Sequence, residues 1–459
     1  MTTSILHIKP EEIDTNEKRA KFTVSIIGCE PTAIREACLF ADAGFKVICA
    51  DADQSTVNLL AKGKAPFFGH EIEIKLKDHI KTGHVTATSD VKTAVSQSNI
   101  IAITTPIRID EKKKPDYSPI EKVCKQVGAS ICRDSLVFVM SITGLGSVEG
   151  TFKEILENAS GFKVGTDLGL AYSPIRDFYG HSLEAMTSSE RIVASADKIS
   201  LGAASTILES TSRNGVRRTN NVKMAEAAIL FEAVQRDANT GLANELAILC
   251  EKAGVDYSEI QDFTKTLTAS RVSLPWRAEE KIQEEPYLLL EDAENLNVKL
   301  RIASVAREAN EGMAKHAATL ARDSLRICGK TMRRARISVF GVSQTHNTKD
   351  TPKKMVKELA ETLEAKGAKV TLYDPYFSEN EKTESQRYFK KSLTEAVEGA
   401  DCIIIMTGHD QFKRLNLRKV KALMKMPAAI VDLEGALEPD KVEKEGFVYR
   451  RLGRGVGAK

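Results

Sequence analysis

The sequence predicts an α/β protein with two parallel β-sheets and a long helix between them in the chain. Two runs of alternating strand and helix patterns support this prediction, one over residues 22–141 and one from about residue 335 onwards. Such alternation is typical of parallel sheets that are covered by helices on both faces. A helical pattern of unusual length separates the two runs.

Each run fits a Rossmann-like arrangement, in which a strand, a turn, a helix and a second strand follow one another. Short apolar segments rich in β-branched residues predict the strands. In the first run we predict strands at 22–28, 45–51, 100–104 and 136–141 and a helix at 31–44. In the second run we predict strands at 335–341, 368–374, 400–407 and 427–433 and a helix at 352–366.

The segment 221–254 predicts one continuous amphipathic helix. Thr219 and the pair Asn220-Asn221 are N-cap candidates, and Lys252 followed by Gly254 is a plausible C-terminus. At 1.5 Å per residue such a helix is about 50 Å long, which is more than an ordinary domain needs. We therefore expect a homodimer in which the apolar face of this helix pairs with a symmetry mate. The face consists of Met224, Ala228, Phe231, Val234, Ala238, Leu242, Leu246 and Leu249.

Composition narrows the functional classes. The chain has 459 residues, and 66 basic residues against 63 acidic ones give a net charge of +3, so nothing points to nucleic acid. The eight cysteines are scattered without a metal-ligand spacing, which favours reduced thiols and no metal site. The N-terminal residues are polar and no apolar run is long enough for a membrane span. We expect a cytoplasmic protein that does not bind membranes.

The loop after the first predicted strand resembles a dinucleotide-binding fingerprint, G-x-G-x-x-G/A. Gly28 and Ala33 fit the first and third positions, and Asp51 closes the second strand where an acidic residue accepts ribose hydroxyls. Glu30 replaces the second glycine and brings a carboxylate to a helix N-terminus that otherwise attracts phosphate. One hypothesis is that Glu30 itself occupies the anion site in place of a pyrophosphate.

Further motifs connect the chain to a known family. The central helix carries N-x-x-L-x-N-E-L-A at 239–247, and similar matches occur as T-P at 105–106, K-P-D-Y-S at 114–118, Y-S-P at 172–174 and T-G-H-D-Q-F at 407–412. In these motifs the chain resembles the UDP-glucose/GDP-mannose (nucleotide-sugar) 6-dehydrogenases over nearly its whole length. The resemblance implies two Rossmann-like domains joined by the long helix. It also implies NAD-dependent oxidation of the C6 alcohol of a UDP-sugar, a reaction that feeds polysaccharide synthesis.

The resemblance assigns binding roles to particular positions. NAD would contact Gly28, Ala33, Asp51, Thr105 and Pro106, and the UDP-sugar would contact Tyr287, Gly341 and Asp350. The polar and charged residues 1–21 predict a short, loosely ordered N-terminal extension. The resemblance implies an NAD-binding-type domain at 22–215. A central dimerisation domain at 216–333 and a UDP-sugar-binding-type domain at 334–459 would follow.

The positions that the family uses for chemistry are changed in this chain. Ile142, Ile175, Ile229 and Ala233 stand where the resemblance places threonine, glutamate, lysine and asparagine, and Lys281 stands at the position of the nucleophilic cysteine. In addition, Glu434 follows Asp432 where the family has the arginine of a D-x-R motif. These changes predict that the activity is weakened or lost.

Three functions therefore remain open on the sequence: an NAD-dependent UDP-sugar dehydrogenase, a non-catalytic homologue that binds or regulates a partner such as an active paralogue, and a two-electron dehydrogenase without a covalent step. Lys281 is a conceivable Schiff-base nucleophile, although an exposed loop lysine is the more ordinary interpretation. Trp276, the only tryptophan, is either a packing anchor or a stacking platform for a base. His409 is expected to be a capping or surface residue.

Overall fold

The protein is described by a computed structural model that covers residues 4–64, 70–176, 190–265, 273–276, 280–347, 354–377 and 389–455. Within these ranges the side chains of residues 70, 71 and 280–283 are not described. The chain divides into two compact units. The first contains residues 1–233 and 284–299, and the second contains residues 234–283 and 300–459.

The described residues of the first unit form an eight-stranded sheet in the order β10-β9-β8-β7-β4-β1-β2-β3. From β3 to β8 every neighbouring pair is parallel, and this part of the order is the 3-2-1-4-5-6 arrangement of dinucleotide-binding sheets. A separate two-stranded ribbon is formed by β5 and β6. The strands are β1 Thr23–Ile27, β2 Lys46–Ala50, β3 Val85–Thr88, β4 Ile100–Ile103, β5 Arg108–Ile109, β6 Pro115–Asp116, β7 Leu136–Val139, β8 Gly169–Tyr172, β9 Arg191–Ala194 and β10 Val216–Thr219.

The helices of the first unit cover this sheet and bury its apolar side chains. Ile26, Ala102 and Phe138 lie on neighbouring strands, are fully buried and belong to one apolar cluster. The helices are Asn16–Arg19, Pro31–Asp42, Gln54–Leu60, His70–Thr82, Val91–Ser96, Ser118–Gly128, Lys153–Ser160 and Lys198–Glu209. The helix Glu280–Asn295 belongs to this unit from residue 284 onwards.

The N-terminal segment is packed rather than loose, and this part of our expectation is wrong. Its short helical turns Ile5–His7 and Pro10–Glu12 bring Ile5, Leu6 and Ile13 into the core of the first unit, where each is less than 5% exposed. The burial of these aliphatic side chains stabilises the fold, and this holds the segment in place although the residues around them are polar.

The described residues of the second unit form a five-stranded parallel sheet in the order β12-β11-β13-β14-β15. This is the 2-1-3-4-5 arrangement, the other common doubly wound order. The strands are β11 Arg336–Phe340, β12 Lys369–Tyr373, β13 Cys402–Ile405, β14 Ala429–Asp432 and β15 Val448–Arg451. The helices are Tyr257–Thr264, Arg301–Glu311, Met313–Ile327, Lys354–Ala365, Leu393–Val397, Asp410–Lys413, Leu417–Leu423 and Pro439–Lys444.

The predicted central helix is confirmed and spans Val222–Ala253. The side chain of Asn221 caps it by accepting a hydrogen bond from the backbone amide of Met224 at 2.9 Å. Gly254 ends it with φ of +77°, in the left-handed region that favours glycine. Every one of the eight residues of the predicted apolar face is at least partly exposed within this chain, and Phe231, Leu242 and Leu249 are 57–61% exposed.

Candidate nucleotide-binding sites

The loop after β1 has the backbone geometry of a dinucleotide-binding turn. Gly28 has φ of +95°, and a Cβ atom there would lie 2.9 Å from Oγ1 of Thr105. The hydroxyl of Thr104 donates to the carbonyl oxygens of Ile27 and Gly28 at 2.9 and 2.6 Å. The strand order reverses between β1 and β4, which is where doubly wound sheets bind their ligands. The predicted positions Gly28, Thr105 and Pro106 therefore lie at this switch point.

Asp51 is held at the end of β2 by two backbone amides. Cys29 donates to Oδ2 of Asp51 at 2.6 Å, and Asp53 donates to Oδ1 at 2.9 Å. The residue is half-buried. Each carboxylate oxygen has two lone pairs, so this arrangement is compatible with the ribose-binding role that the sequence assigns to it. Ala33, one turn into the next helix, is fully buried.

Glu30 does not fill the anion position of this loop, so that hypothesis is wrong. Glu30 is the residue before the helix Pro31–Asp42, but its side chain makes no capping hydrogen bond to it. Its Oε1 instead forms an ion pair with Arg108 on β5, at 3.1 Å from a guanidinium nitrogen. A carboxylate nevertheless stays beside the helix N-terminus.

These features fit one half of NAD better than the other. The carboxylate of Asp51 suits the adenosine ribose, whereas the carboxylate of Glu30 repels a pyrophosphate. Pro31 in addition removes one of the N–H groups that a helix N-terminus offers to phosphate. In this conformation the residues present fit the ribose and do not fit the diphosphate.

Four of the five positions that the resemblance assigns to catalysis carry aliphatic side chains that are buried or partly buried. Ile229 is 2% exposed and Ala233 is 0% exposed, both on the central helix within the first unit. Ile175 packs against the apolar core of the same unit, and Ile142 is half-buried. Lys281 lies in the helix Glu280–Asn295, but its side chain is outside the described residues.

A buried carboxylate holds the loop that contains Ile142. Glu226 on the central helix is 0% exposed and accepts three hydrogen bonds from this loop. The donors are the hydroxyl of Thr143 at 3.2 Å, the amide of Gly146 at 2.5 Å and the amide of Val148 at 3.0 Å. Burial raises the pKa of Glu226 to about 7, although these hydrogen bonds act in the opposite direction.

The second unit repeats the glycine and aspartate of the first loop, but in a closed form. Gly341 has φ of +74°, and a Cβ atom there would lie 2.2 Å from the carbonyl oxygen of Thr407. Asp374 is 3% exposed, and its Oδ2 accepts hydrogen bonds from the backbone amides of Val342 and Ser343 at 2.8 and 3.0 Å. This loop is therefore occupied by the protein's own polar groups.

His409 completes this network and is fully buried, so our expectation of a surface residue is wrong. It does occupy the N-cap position of the helix Asp410–Lys413, but its side chain makes no capping hydrogen bond. Its Nδ1 accepts from the amide of Asn347 at 2.9 Å, which leaves the proton on Nε2. Nε2 lies 3.0 Å from the hydroxyl oxygen of Ser343 and 3.1 Å from Oδ2 of Asp374. A catalytic triad needs the serine and the aspartate on opposite ring nitrogens. This Ser–His–Asp group is therefore structural.

The second unit also contains a cavity of about 210 Å³. It lies beside the end of β14 and the start of the helix Tyr257–Thr264. Residues from distant parts of the sequence line it, among them Tyr257, Ser258, Leu274, His346, Glu434 and Arg451. Because no short motif joins these residues, only the substitution at Glu434 could have pointed to the cavity in advance.

Trp276 is a packing anchor and not a ligand platform in this structure. It is 3% exposed and belongs to the apolar core of the second unit. Its backbone amide donates to Oδ1 of Asn244 at 2.8 Å, and its indole N–H donates to the carbonyl oxygen of Met406 at 2.9 Å. Both hydrogen bonds hold the residue with φ of +68°, which a large side chain rarely adopts.

The three residues that the resemblance assigns to the UDP-sugar lie in different parts of the chain. Tyr287 is half-buried on the helix Glu280–Asn295 of the first unit, whereas Gly341 belongs to the second unit. Asp350 lies outside the described residues. Across the described ranges there is no cluster of histidine, cysteine, aspartate or glutamate that could hold a metal ion. Within those same ranges no helix is long and apolar enough to cross a membrane.

Glu226 was missed by the sequence analysis, although a signal was present. Val222, Ala225, Ile229 and Ala233 follow one another at steps of three and four and are all buried. This stripe lies on the other side of the helix from the predicted apolar face. Glu226 stands directly beside Ala225 within the stripe, and an acidic residue at such a position is buried with a partner more often than it is solvated.

Comparison with known proteins agrees with the fold and the motifs. Three sequence profiles of the UDP-glucose/GDP-mannose dehydrogenase family match this chain. Its NAD binding domain matches residues 22–211, its central domain residues 223–312 and its UDP binding domain residues 338–439.

Individual relatives cover almost the whole chain. The UDP-N-acetyl-D-mannosamine dehydrogenase of Pyrococcus horikoshii is 28% identical over 94% of this chain and 99% of its own length. The UDP-glucose 6-dehydrogenase of Rhizobium meliloti is 25% identical over 94% of this chain and 99% of its own length. The solved structure of the UDP-D-ManNAc dehydrogenase from Pyrococcus horikoshii superposes with a TM-score of 0.84 at 26% identity, covering 95% of this chain and 100% of that one. This chain belongs to the UDP-glucose/GDP-mannose dehydrogenase family.

Proposed function

We propose that this chain is a member of the family that has lost the oxidation of a UDP-sugar alcohol to a uronate and acts as a binding or regulatory protein. The observation that carries the proposal is the burial of Ile229 and Ala233, at 2% and 0% exposure, where the resemblance assigns a lysine and an asparagine. Neither side chain has a polar atom, so neither supports charge that develops on a reacting oxygen.

The missing groups are those that this reaction demands. Oxidation of an alcohol needs an acceptor for the hydroxyl proton, and capture of the aldehyde needs a nucleophile. Ile142 and Ile175 supply neither. Removal of a single oxyanion donor typically lowers the rate by 10²–10³-fold. The loss of several, even without additivity, brings the four-electron oxidation to a negligible rate.

The proposal also concerns NAD binding by the first unit. NAD, when bound, would supply the hydride acceptor. Asp51 would accept the ribose hydroxyls, with Gly28, Ala33, Thr105 and Pro106 around it. Glu30 disfavours the diphosphate, so we propose that NAD binding is weak.

Several further assignments belong to the same proposal. We propose the domain limits 22–215, 216–333 and 334–459, a cytoplasmic location and a homodimer through the central helix. In such a homodimer the exposed apolar side chains of that helix would be covered. An active paralogue is the natural partner of a regulatory homologue, because the two would share this helix face.

An active NAD-dependent UDP-sugar 6-dehydrogenase is the second candidate. It is favoured by the family's NAD binding and UDP binding domains, which match 22–211 and 338–439. In that case Tyr287, Gly341 and Asp350 would contact the sugar nucleotide, and Lys281 would be the replacement nucleophile. A two-electron reaction without a covalent step is a variant of the same candidate.

The first test measures activity and binding in parallel on the purified chain. Absorbance at 340 nm follows NADH during incubation with NAD and UDP-glucose, or with NAD and UDP-N-acetylmannosamine. Thermal shift follows binding of each compound alone, where a ligand at 100 times its dissociation constant adds about 2.7 kcal/mol. We expect no NADH above a no-enzyme control. Steady turnover with two NADH per sugar would refute the proposal and establish the second candidate.

A further inference from the structure

Basic residues are concentrated at the amino-terminal edge of the second sheet. Four short segments lie at the starts of neighbouring strands: 330–336 at β11, 364–369 at β12, 398–402 at β13 and 423–428 at β14. Together they contain seven basic residues against three acidic ones, although the whole chain is nearly balanced at 66 against 63. The basic residues are Lys330, Arg333, Arg334, Arg336, Lys366, Lys369 and Lys425, and the acidic ones are Glu364, Glu398 and Asp401.

Hydrogen bonds join these four segments into one continuous surface, which we call the basic edge. The donors are the backbone amides of Arg334, Arg336 and Lys425, and the acceptors are the carbonyl oxygen of Gly367, the carboxylate of Asp401 and the carbonyl oxygen of Ala400, at 2.7, 2.9 and 3.0 Å. The charges of the four segments therefore act together on whatever approaches this end of the sheet.

Three of the basic residues have a structural explanation. Lys330 forms an ion pair with Asp401 at 2.8 Å. Lys366 directly follows the helix Lys354–Ala365, and a cation at the C-terminus of a helix stabilises it. Lys369 lies on β12, which is an edge strand, and lysines on edge strands oppose unwanted pairing with another sheet.

The three arginines at 333, 334 and 336 have no such explanation. They precede or begin β11, which lies inside the sheet and not at its edge. All three residues are exposed. Across the part of the chain that the structure describes, none of their guanidinium groups forms an ion pair or a hydrogen bond. The fold therefore leaves their charges available.

Two of these arginines lie against glycines. A Cβ atom at Gly367 would lie 3.2 Å from Cγ of Arg333, and a Cβ atom at Gly399 would lie 2.9 Å from a guanidinium nitrogen of Arg336. The bare backbone of each glycine thus supports an arginine side chain. Support of this kind reduces the conformational entropy that the side chain loses when it binds a ligand.

The third arginine occupies a strained turn position. Arg334 has φ of +66°, in the left-handed region that glycine and asparagine adopt more readily than arginine does. An arginine at this position costs stability without forming a contact in return. Strain that the fold does not use is typical of residues that serve binding.

The chemistry of the basic edge favours an acidic polypeptide. The planar guanidinium group binds carboxylates through two parallel hydrogen bonds. The four segments contain no aromatic residue on which a nucleobase could stack. None of the large apolar side chains that are exposed in the described chain lies in them, so they offer no anchor to a membrane. Four neighbouring strand starts span about 14 Å, the length of about four extended residues.

We propose that the basic edge binds a short, carboxylate-rich segment of a partner protein, which Arg333, Arg334 and Arg336 contact directly. This inference goes beyond the proposed function and does not depend on it, because an active chain and an inactive one would offer the same surface.

The test uses a fluorescein-labelled peptide of ten glutamates as the probe and the full chain as the receptor. Fluorescence anisotropy measures its dissociation constant at 50 mM and 300 mM NaCl. We expect saturable binding at the lower salt concentration that becomes at least fivefold weaker at the higher one, because salt screens the attraction between exposed charges.

The decisive variant combines Arg333→Gln, Arg334→Asn and Arg336→Gln, and we expect it to bind the peptide at least tenfold more weakly. The matched control combines Arg414→Gln, Lys419→Gln and Lys444→Gln, which removes the same charge from exposed positions of the same unit and should stay within twofold of wild type.

Arg334→Asn alone keeps the binding test independent of folding. Asparagine adopts the left-handed conformation more readily than arginine does, so this variant should be at least as stable as wild type and still bind at least twofold more weakly. Thermal denaturation followed by circular dichroism measures its stability and establishes that both triple variants are folded.

Three outcomes would overturn the inference. They are no binding of the peptide by wild type at millimolar concentration, equal losses in the two triple variants, and binding of decauridylate RNA or of vesicles with 20% phosphatidylserine at least tenfold tighter than that of the peptide. The NADH assay remains separate, since turnover of a UDP-sugar refutes the proposed function and leaves the basic edge unaffected.

Discussion

Asp51 and Asp374 occupy equivalent positions in two different sheets. Each follows the second strand of its sheet, and each accepts a hydrogen bond from the backbone amide of the residue after the loop glycine. The amide of Cys29 donates to Asp51 at 2.6 Å, and the amide of Val342 donates to Asp374 at 2.8 Å. The same hydrogen bond from a backbone amide to an aspartate therefore holds the first loop of both units.

The two aspartates differ in their surroundings. Asp51 is half-buried, whereas Asp374 is 3% exposed. Asp374 also accepts hydrogen bonds from the amide and the hydroxyl of Ser343 and from Nε2 of His409. Burial acts to raise the pKa of Asp374, but the hydrogen bonds from His409 and from the backbone amides outweigh it, so the pKa lies below its usual value. The network of the second unit is thus a structural element.

We predict that Asp374→Asn destabilises the protein much more than Asp51→Asn does. Asparagine at position 374 places an amide group against donors that now have no acceptor, which costs about 2–4 kcal/mol. At position 51 solvent replaces the lost acceptor, and the cost is about 1 kcal/mol or less. Urea denaturation followed by circular dichroism measures both. Equal losses of stability would contradict the distinction between the two loops.

Trp276 gives a second prediction, because it is the only tryptophan and lies in the core of the second unit. Its emission should be blue-shifted in the native state and shift to red when this unit unfolds. Trp276→Phe should lower stability by about 1–3 kcal/mol, since the carbonyl oxygen of Met406 loses its indole donor. Quenching of the native emission by uridine or NAD at saturating concentration would instead favour a stacking role.

Glu226 predicts a dependence of stability on pH. Its folded-state pKa is raised to about 7 by burial, against 4.5 for the ordinary group. A raised pKa means that the folded protein holds the proton more tightly than the unfolded chain does. The stabilisation is therefore fully present below about pH 4.5 and is lost as the pH rises through about 7, with a total of the order of 3 kcal/mol.

The test compares wild type with Glu226→Gln at pH 5 and pH 8. Glutamine does not titrate, so the variant should lose less stability over this interval than wild type does. Asp237, whose pKa is raised to about 6 by burial, is present in both proteins and cancels in the comparison. Parallel pH profiles of the two proteins would show that Glu226 does not titrate in this range.

The sequence predicted the regular elements better than the sites. The strands of both sheets that have the strongest β-branched runs appear within one or two residues of their predicted limits, because local apolar patterning and parallel pairing agree there. Strands such as Val85–Thr88 and Gly169–Tyr172 were not predicted, since tertiary pairing overrides a weak local pattern.

The sites were harder to predict than the strands and helices, because a site combines residues that are far apart in the sequence. Gly28 and Asp51 could be proposed from the sequence because the dinucleotide fingerprint places them at fixed spacing. The cavity around Tyr257, His346 and Arg451 has no such spacing, and the burial of His409 depends on Asn347 and Asp374 in other loops. Neither arrangement is visible before the chain is folded.

The loop after β1 yields a prediction about NAD. Glu30→Gly removes both the Cβ atom and the carboxylate beside the helix Pro31–Asp42, and it restores the second glycine of the fingerprint. We expect NAD to bind at least tenfold more tightly to this variant than to wild type, by isothermal titration calorimetry. Arg108→Ala is the control, because it breaks the ion pair with Glu30 but keeps the obstruction. Micromolar NAD binding by wild type would contradict the proposed effect of Glu30.

The exposed face of the central helix gives the last prediction. Met224, Phe231, Leu242 and Leu249 are 49%, 61%, 57% and 60% exposed and recur at spacings of seven and eleven residues. Large apolar side chains in one row along a helix are typical of an interface, since full burial of one such side chain contributes about 1.5–3 kcal/mol and about half of each is still exposed here. We expect a dimer of about 100 kDa in multi-angle light scattering, twice the 50.4 kDa of one chain.

A double variant, Phe231→Glu with Leu242→Glu, should reduce the mass to that of one chain. The added carboxylates of the two copies would face each other in an apolar interface, and that arrangement costs several kcal/mol. Ile199→Glu is the matched control. Ile199 is also an exposed aliphatic residue on a helix, at 38% exposure, but it does not belong to this row and its substitution should leave the mass unchanged. A wild-type mass near 50 kDa at micromolar concentration would mean that the row is covered by something other than a second copy. A double variant that remained dimeric would place the interface on a different surface.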